Sequence, residues 1–529
     1  EVNVEWLSPN PTQQNSSATT VLALQPNLVL QRLKNAAGDE IVLTNPNPKI
    51  GAWYLLAVTI RGLKNTLHLE VQPIQGTTEL RPRLFLYADG LGVAIDHTPP
   101  HYFPLWPAPG TPSTACDTLN DAPVPNELLA PDHVFDSPYT VSCGGLVLIR
   151  TQKKGVSTKM ELVTDLLRET RLGDWFVEKA KPHLIPAPEL AETAPIHTPE
   201  NDPHPAAEYP RNAAVNPNKP ADACAPTHLG IANEAPDGKM TYGSWYKTAH
   251  HPGVYLSVYK ASETDPALLG TYKDRVDALG RYDKTHQEAE SLAYLLAFDL
   301  DHYGFGYAVG ADHPRVDGMP NNPKGPDGFN SVKPLVRIGS IPPYDASRAV
   351  AAFTGGFKRE HGVFHAGPFA KTNTGTYYGF MEKGVILSRL NSGLATAWMD
   401  TNGVLRLLTW PDTPGVLLES AYCIRQNGVP IIEGIDSAGI SIPGGMVNKW
   451  GAGNWSGSQH GNFLTLRSAI ALQDTPTKHF LLYAYFTGAT SNGMARIFQA
   501  YTVRYAMQLD MNALSLCYAA LYLRDETGA

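Results

Sequence analysis

The sequence predicts an α+β protein in three parts: an N-terminal antiparallel β-sandwich-like domain over 1–181, a Pro-rich extended connector over 182–239, and a C-terminal mixed α and β domain over 240–529. Three observations lead there. At 529 residues the chain is too long for one ordinary core. Its 46 Gly and 44 Pro, against only 17% charged residues, suit short strands joined by many turns and exclude an all-helical bundle. Prolines recur from Pro182 to Pro236 among Ala, Asn and His, a composition that forms no regular core and runs extended.

In the first part, short apolar and β-branched runs over 20–24, 40–44, 53–60, 66–71 and 84–87 are separated by turn clusters such as Asn45-Pro46-Asn47-Pro48 and Ala88-Asp89-Gly90, the spacing of an antiparallel sandwich. Residues 139–150 read as one further strand carrying Cys143, and a Cys116 to Cys143 bridge would staple the Pro- and Thr-rich loop before it. Thr158 and Glu161 have capping-box spacing, and Leu162, Val163, Leu166 and Leu167 follow at helical intervals.

Beyond the connector the pattern changes. Residues 254–259 read as a strand, and 287–296 are open between a helix and a long strand. Asp345 is a good N-cap leading into the apolar run that ends at Thr354-Gly355-Gly356. Runs over 385–390, 395–399, 404–408 and 416–424, split by Asn391-Ser392-Gly393 and Thr401-Asn402-Gly403, predict a meander of hairpins. Met494, Ile497, Phe498, Tyr501 and Tyr505 stand at helical spacing, and 506–510 reads as a short buried strand.

Charge and composition narrow the function. With 42 Lys and Arg against 50 Asp and Glu the net charge is -8, and no basic run is present, so nucleic acid is not an expected partner. No stretch reaches the 18 or so apolar residues of a membrane helix, so no integral membrane segment is expected. The chain starts at Glu1 without a charged-then-apolar leader, as one would after removal of a signal peptide, and the expected localisation is secreted, periplasmic or cell surface. The five cysteines form no CxxC pair, which disfavours a structural zinc site. His197, His204 and His228 read as exposed connector histidines. No cofactor is expected beyond a weak calcium candidate: Asp312, Asp317, Asn321, Asn322 and Asp327 make an oxygen-rich loop without EF-hand spacing.

Four pieces of the second half carry the chemistry. They are Ala351-Ala-Phe-Thr-Gly-Gly-Phe357; Arg425-Gln-Asn-Gly-Val-Pro-Ile-Ile-Glu433-Gly434; Arg467-Ser-Ala-Ile-Ala; and Ser491-Asn-Gly-Met494 followed by Ala506-Met-Gln-Leu-Asp510. In this order and spacing they resemble the phosphodiester glycosidase family, over about residues 240–529. The chain departs from the family's pattern at two places: Thr354 stands where the family has Asn, and Met511-Asn512-Ala513 where it has glycines after the aspartate.

The resemblance implies an exported glycan-active hydrolase that cleaves a sugar-1-phosphodiester or a related glycosidic bond, with a carbohydrate or sugar-phosphate ligand. The residues are compatible with that chemistry. Thr354, Gly355, Gly356, Arg467 and Asn512 are the expected substrate contacts, since a Gly-Gly at a strand end bares amides to an anionic oxygen and an arginine fork holds two oxygens at once. Asp510, at the end of an apolar strand, and the loop histidines His361 and His365 are the expected acid and base groups. The altered ending motivates two rival readings: a non-catalytic relative that binds glycan or protein, and a structural cell-surface or assembly component.

Overall fold

In this computed structural model the described residues are 208–219, 231–236, 239–269, 287–307, 348–356, 378–382, 385–388, 390–447, 464–511 and 517–523, together with the strands between 4 and 152, their turn residues 38, 39 and 62, the pair 223–224, and Tyr272. The protein is mostly β, its sheets antiparallel throughout.

The strand-forming runs of the first 152 residues build two sheets. The larger has seven strands, in the order Val4–Glu5, Asn27–Lys34, Glu40–Asn45, Trp53–Ile60, Leu63–Pro73, Leu146–Gln152 and Tyr139–Cys143. The smaller has three, Pro82–Tyr87, Gly90–Ile95 and His101–Pro104. Ile41, Leu43, Tyr54 and Leu56 are buried at alternate positions, the period of two that a pleated strand imposes when one face is covered. The single strand expected over 139–150 is a hairpin of two, because Cys143 and Leu146 pair across the glycines Gly144 and Gly145. The helix expected after Thr158, Cys116 with its bridge, and the first run at 20–24 lie outside the described residues.

The second half is organised by one eight-stranded sheet. Its order is Tyr246–Lys247, Val254–Lys260, Leu292–Asp299, His479–Ala489, Thr465–Asp474, Tyr505–Met511, Pro430–Ile435 and Ser441–Pro443. The central strands are buried on both faces and so read as continuous apolar runs rather than alternating ones. Ala293, Ala297, Ala469, Ala471 and Ala484 belong to one face, where the wholly buried helix Ser491–Ala500 lies across the sheet with Met494, Ile497 and Phe498. Small residues beneath a helix let its backbone come close to the sheet. The other face carries Leu256, Val258, Leu296, Ile470, Leu472, Tyr483 and Met507, packed with Ala395, Ala397, Leu405 and Leu407 of a second sheet.

That second sheet has five strands, ordered Val385–Ser388, Phe380–Glu382, Cys423–Gln426, Ala395–Met399 and Leu405–Thr409. The turn at Thr401-Asn402-Gly403 makes the hairpin its sequence predicts, with Met399 paired to Leu405 and Gly403 at φ +80°. The turn at Asn391-Ser392-Gly393 does not join neighbours: strand Val385–Ser388 pairs with Phe380–Glu382, and strand Ala395–Met399 lies between Cys423–Gln426 and Leu405–Thr409. The run 416–424 divides into a single helical turn, Val416–Glu419, and strand Cys423–Gln426. The run 287–296 likewise divides, into Gln287–Glu290 and strand Leu292–Asp299. The apolar run after Asp345 is a strand over Ala351–Phe353, paired with Ala519–Leu521.

Part of the Pro-rich stretch is tied to this sheet. Arg211 N donates to Gln473 Oε1 at 2.8 Å and Gln473 Nε2 returns a bond to Arg211 O at 3.0 Å, while the Trp245 indole also donates to Arg211 O at 2.8 Å. Ala213 and Ala214 donate to Gly243 O and Ala500 O. Residues 208–215 therefore run without helix or turn, strapped onto the helix face, and 216–219 close a turn in which Lys219 N donates to Asn216 O at 3.1 Å. Gln473 is fully buried, so truncating it leaves the Arg211 amide without its partner and takes one of two donors from the Arg211 carbonyl, a loss on the order of 1–3 kcal/mol. Trypsin should accordingly spare the Arg211–Asn212 bond in the native chain and cut it in the Gln473→Ala variant, as mass mapping of the fragments would read.

Candidate functional site

The four sequence pieces that carry the resemblance meet at one end of the eight-stranded sheet. The first ends in a glycine that the site demands. Gly356 has φ +102°, a conformation side chains avoid, and a Cβ there would stand 2.9 Å from Asn427 Cγ. Just before it, Thr354 N donates to Tyr518 O at 3.3 Å and Gly355 is exposed.

The second piece contributes Asn427, just beyond strand Cys423–Gln426. Its side chain is fully buried, and Nδ2 donates to Gln508 O at 2.6 Å and to Leu509 O at 2.9 Å. Its Oδ1 accepts from Arg425 Nη2 at 3.4 Å, and that guanidinium lies 4.2 Å from the centre of the Phe380 ring. Gln426 anchors the neighbouring turn, accepting from Asn391 N and donating to Asn391 O and Thr396 Oγ1.

The third piece supplies Arg467, opposite Met511 in the sheet. The side chain is 1% exposed; Nε donates to Ala489 O at 2.6 Å and Nη1 to Gln508 Oε1 at 3.3 Å, with Met511 Sδ 3.7 Å away. Its fork is thus engaged with protein groups. The fourth piece brings Gln508 and Asp510. Ser468 Oγ donates to Asp510 O at 3.2 Å, and the Asp510 carboxylate accepts from the next backbone amide, Met511 N, at 2.8 Å.

A buried carboxyl that the sequence does not single out adjoins this cluster. Glu288, in the turn Gln287–Glu290, is 2% exposed. Its Oε1 accepts from Thr490 N at 2.6 Å and from Thr490 Oγ1 at 2.7 Å, next to Ala489, whose carbonyl Arg467 holds. Thr490 is also the N-cap of helix Ser491–Ala500, accepting from Gly493 N at 3.1 Å. Desolvation pushes the Glu288 carboxyl above the usual glutamate range, and the two Thr490 bonds and the charge of Arg467 pull it only part of the way back.

Of the residues the sequence nominates, the structure brings Thr354, Gly355, Gly356, Arg467 and Asp510 into one neighbourhood. His361, His365 and Asn512 lie outside the described residues, as does the oxygen-rich loop at 312–327. Among the described residues no three His, Cys, Asp or Glu side chains gather in a way that could hold a metal ion, and no helix is long and apolar enough to cross a membrane. Asn427, Gln508, Glu288 and Thr490 join the site from the structure alone. The Gln-Asn-Gly motif could have pointed to Asn427; Glu288 sits in the polar run Lys284-Thr-His-Gln-Glu-Ala-Glu290, where nothing sets it apart.

Compared with family models and with curated proteins, the sequence matches none.

Two outcomes follow from the geometry. Gly356→Ala places a methyl against Asn427 at positive φ, so the Asn427 bonds to Gln508 and Leu509 must give way; thermal melting should fall by the equivalent of about 1–3 kcal/mol. Arg467→Lys keeps the charge but loses the fork that spans Ala489 O and Gln508 Oε1, and it should cost roughly 1.5–3 kcal/mol in a denaturant titration.

Proposed function

We propose that the C-terminal part of this chain is a glycan-active hydrolase of the phosphodiester glycosidase kind, cleaving a sugar-1-phosphodiester or a related glycosidic bond of an exported protein's surroundings. One observation carries the reading: Gly356, Asn427, Arg467 and Gln508, drawn from four separate pieces of sequence that together resemble that family, are linked by direct contacts.

The chemistry assigned to them is modest. The amides of exposed Gly355 and half-buried Gly356, with the Thr354 hydroxyl, are the donors assigned to a phosphate oxygen. Asp510, partly buried and held by one backbone amide, is the carboxyl proposed for acid or base work, with His361 or His365 as its counterpart and Asn512 as a substrate contact. Arg467 contributes positive charge from behind the site, because its nitrogens already hold Ala489 and Gln508.

That same engagement of Arg467 favours the rival reading, a non-catalytic relative that binds glycan or protein. Turnover separates the two. A panel of sugar-1-phosphodiesters, including methyl N-acetylglucosamine-1-phosphate and uridine diphosphate N-acetylglucosamine, should be hydrolysed by the parent protein. Asp510→Asn should lose about 10²–10⁴-fold in rate with an unchanged melting temperature. Full activity in that variant would remove Asp510 from the chemistry, and an inactive parent that still binds the panel would establish the rival.

A further inference from the structure

Helix Ser491–Ala500 is buried along its whole length, yet the side it turns away from the eight-stranded sheet is polar. At about 3.6 residues per turn, Met494, Ile497 and Phe498 share the face that packs on the sheet, and Asn492, Arg496 and Gln499 share the opposite one. Gln499 is provided for, since its Nε2 donates to Ser441 O at 3.0 Å. The other two are not. Asn492 is 6% exposed and Arg496 5%, and Asn492 Oδ1 and Arg496 Nε are buried with no hydrogen-bond partner among the described residues. A buried polar atom left bare in this way is costly, and the cost is recovered only when something meets it.

Nor does a carboxylate among the described residues pair with Arg496. Glu263, on the turn Ala261–Glu263 that touches the helix, is held by Lys219 at 3.2 Å. Glu288, against Gly493 one turn earlier, is bonded to Thr490. The group whose field reaches Arg496 is the Tyr259 hydroxyl, which donates to Ala214 O at 3.2 Å and to Thr264 Oγ1 at 3.3 Å and which burial keeps protonated. Burial lowers the Arg496 guanidinium to about 10, with Tyr259 pulling the other way, so at neutral pH a full positive charge stands there with no counter-ion among the described residues.

Four residues apart on a helix, Asn492 and Arg496 are neighbours, with roughly 5–6 Å between their Cβ atoms. A charged fork of donors beside an acceptor that lacks a donor is the complement of one kind of molecule, an oxyanion that carries its own hydroxyl. Its anionic oxygens take the guanidinium and its hydroxyl gives to Asn492 Oδ1. Hydrogen phosphate, which keeps a P–OH at neutral pH, has both groups; sulfate, fully ionised, has only the first. We propose that Asn492 and Arg496 form a binding site for such an anion, hydrogen phosphate or a 2-hydroxy acid, on the helix face opposite the sheet. The few per cent of each side chain left exposed is the side from which the ion enters, and the burial of the rest strengthens every bond made to it. The site draws on none of the residues assigned to hydrolysis and stands whether or not they turn over a substrate.

Calorimetric titration of the full chain, in a buffer free of both ions, with inorganic phosphate and with sulfate reads the site directly. Phosphate should bind about tenfold or more tightly than sulfate, because a buried acceptor shaped for a donor rejects the anion that lacks one. Asn492→Leu should close that gap while an anion still binds, and Arg496→Met should abolish binding of both. Glycolate, with acetate as its control, is the second arm: if it outbinds phosphate the ligand is a 2-hydroxy acid, and otherwise a phosphate. Melting supplies a readout that a merely bracing arginine would move the other way. Arg496→Met removes a buried charge that nothing offsets, so without added anion it should melt no lower than the parent. The parent's melting temperature should climb with phosphate concentration and that of Arg496→Met should not. No binding of phosphate or glycolate by the parent, equal affinity for phosphate and sulfate together with equal affinity for glycolate and acetate, or a marked fall in the melting temperature of Arg496→Met overturns the site.

Discussion

The Asn427 carboxamide, by donating to the carbonyls of both Gln508 and Leu509, ties the end of the five-stranded sheet to strand Tyr505–Met511 of the eight-stranded one. Much of the site follows from that pair of bonds. With both carbonyls engaged, the backbone of 508 and 509 is fixed, and so is the side-chain oxygen of Gln508 that receives Arg467. With the carboxamide itself immobile and fully buried, the chain that crosses it can only do so as glycine, which is why Gly356 sits there at positive φ. A buried amide of this type is costly to leave unpaired, so sheet, turn and Gly-Gly loop stand or fall together.

The way the two faces of the large sheet are filled explains how the site acquires a rigid floor. One face, thinned by alanines, accepts a helix that has no exposed residue; the other is closed by a second sheet through larger side chains. The Phe486 and Phe498 rings meet edge to face at 5.7 Å across the helix–sheet boundary. A helix so enclosed presents its first turn in one place only, and the Thr490 cap and the Glu288 carboxyl inherit that fixity.

Much of the fold was legible in the sequence where strand periodicity is local. Runs such as Trp53–Ile60 and Val254–Lys260 are apolar, β-branched and bounded by turns, and they are strands within a residue of where the pattern puts them. Helix Ser491–Ala500 was legible from Met494, Ile497 and Phe498, but Tyr501 and Tyr505, placed at the same spacing, lie beyond it, Tyr505 opening strand Tyr505–Met511, and the helix start depends on Thr490, a cap hidden between a strand and a helix. The strap at 208–215 was legible as irregular chain and not as packed chain, because Gln473, the partner of Arg211, lies 262 residues away. At the site, the glycines, Arg467 and Asp510 stood out through their motifs. Glu288 did not, since what distinguishes it from Glu290 two residues on is burial, and burial is conferred by Thr490 and Gly493 some 200 residues later.

The order of strands in the large sheet also has a consequence during synthesis. Strand Leu292–Asp299 finds one neighbour, Val254–Lys260, almost at once, but its other neighbour is His479–Ala489. At ordinary translation speeds roughly 10 to 40 s separate the emergence of the two, and for that interval an apolar edge of a growing sheet waits unpaired. Sheets built from such distant strands fold slowly and expose surfaces to which other nascent chains can add. The same late strands carry Arg467 and Asp510, so the site takes shape only when they dock beside strands made long before.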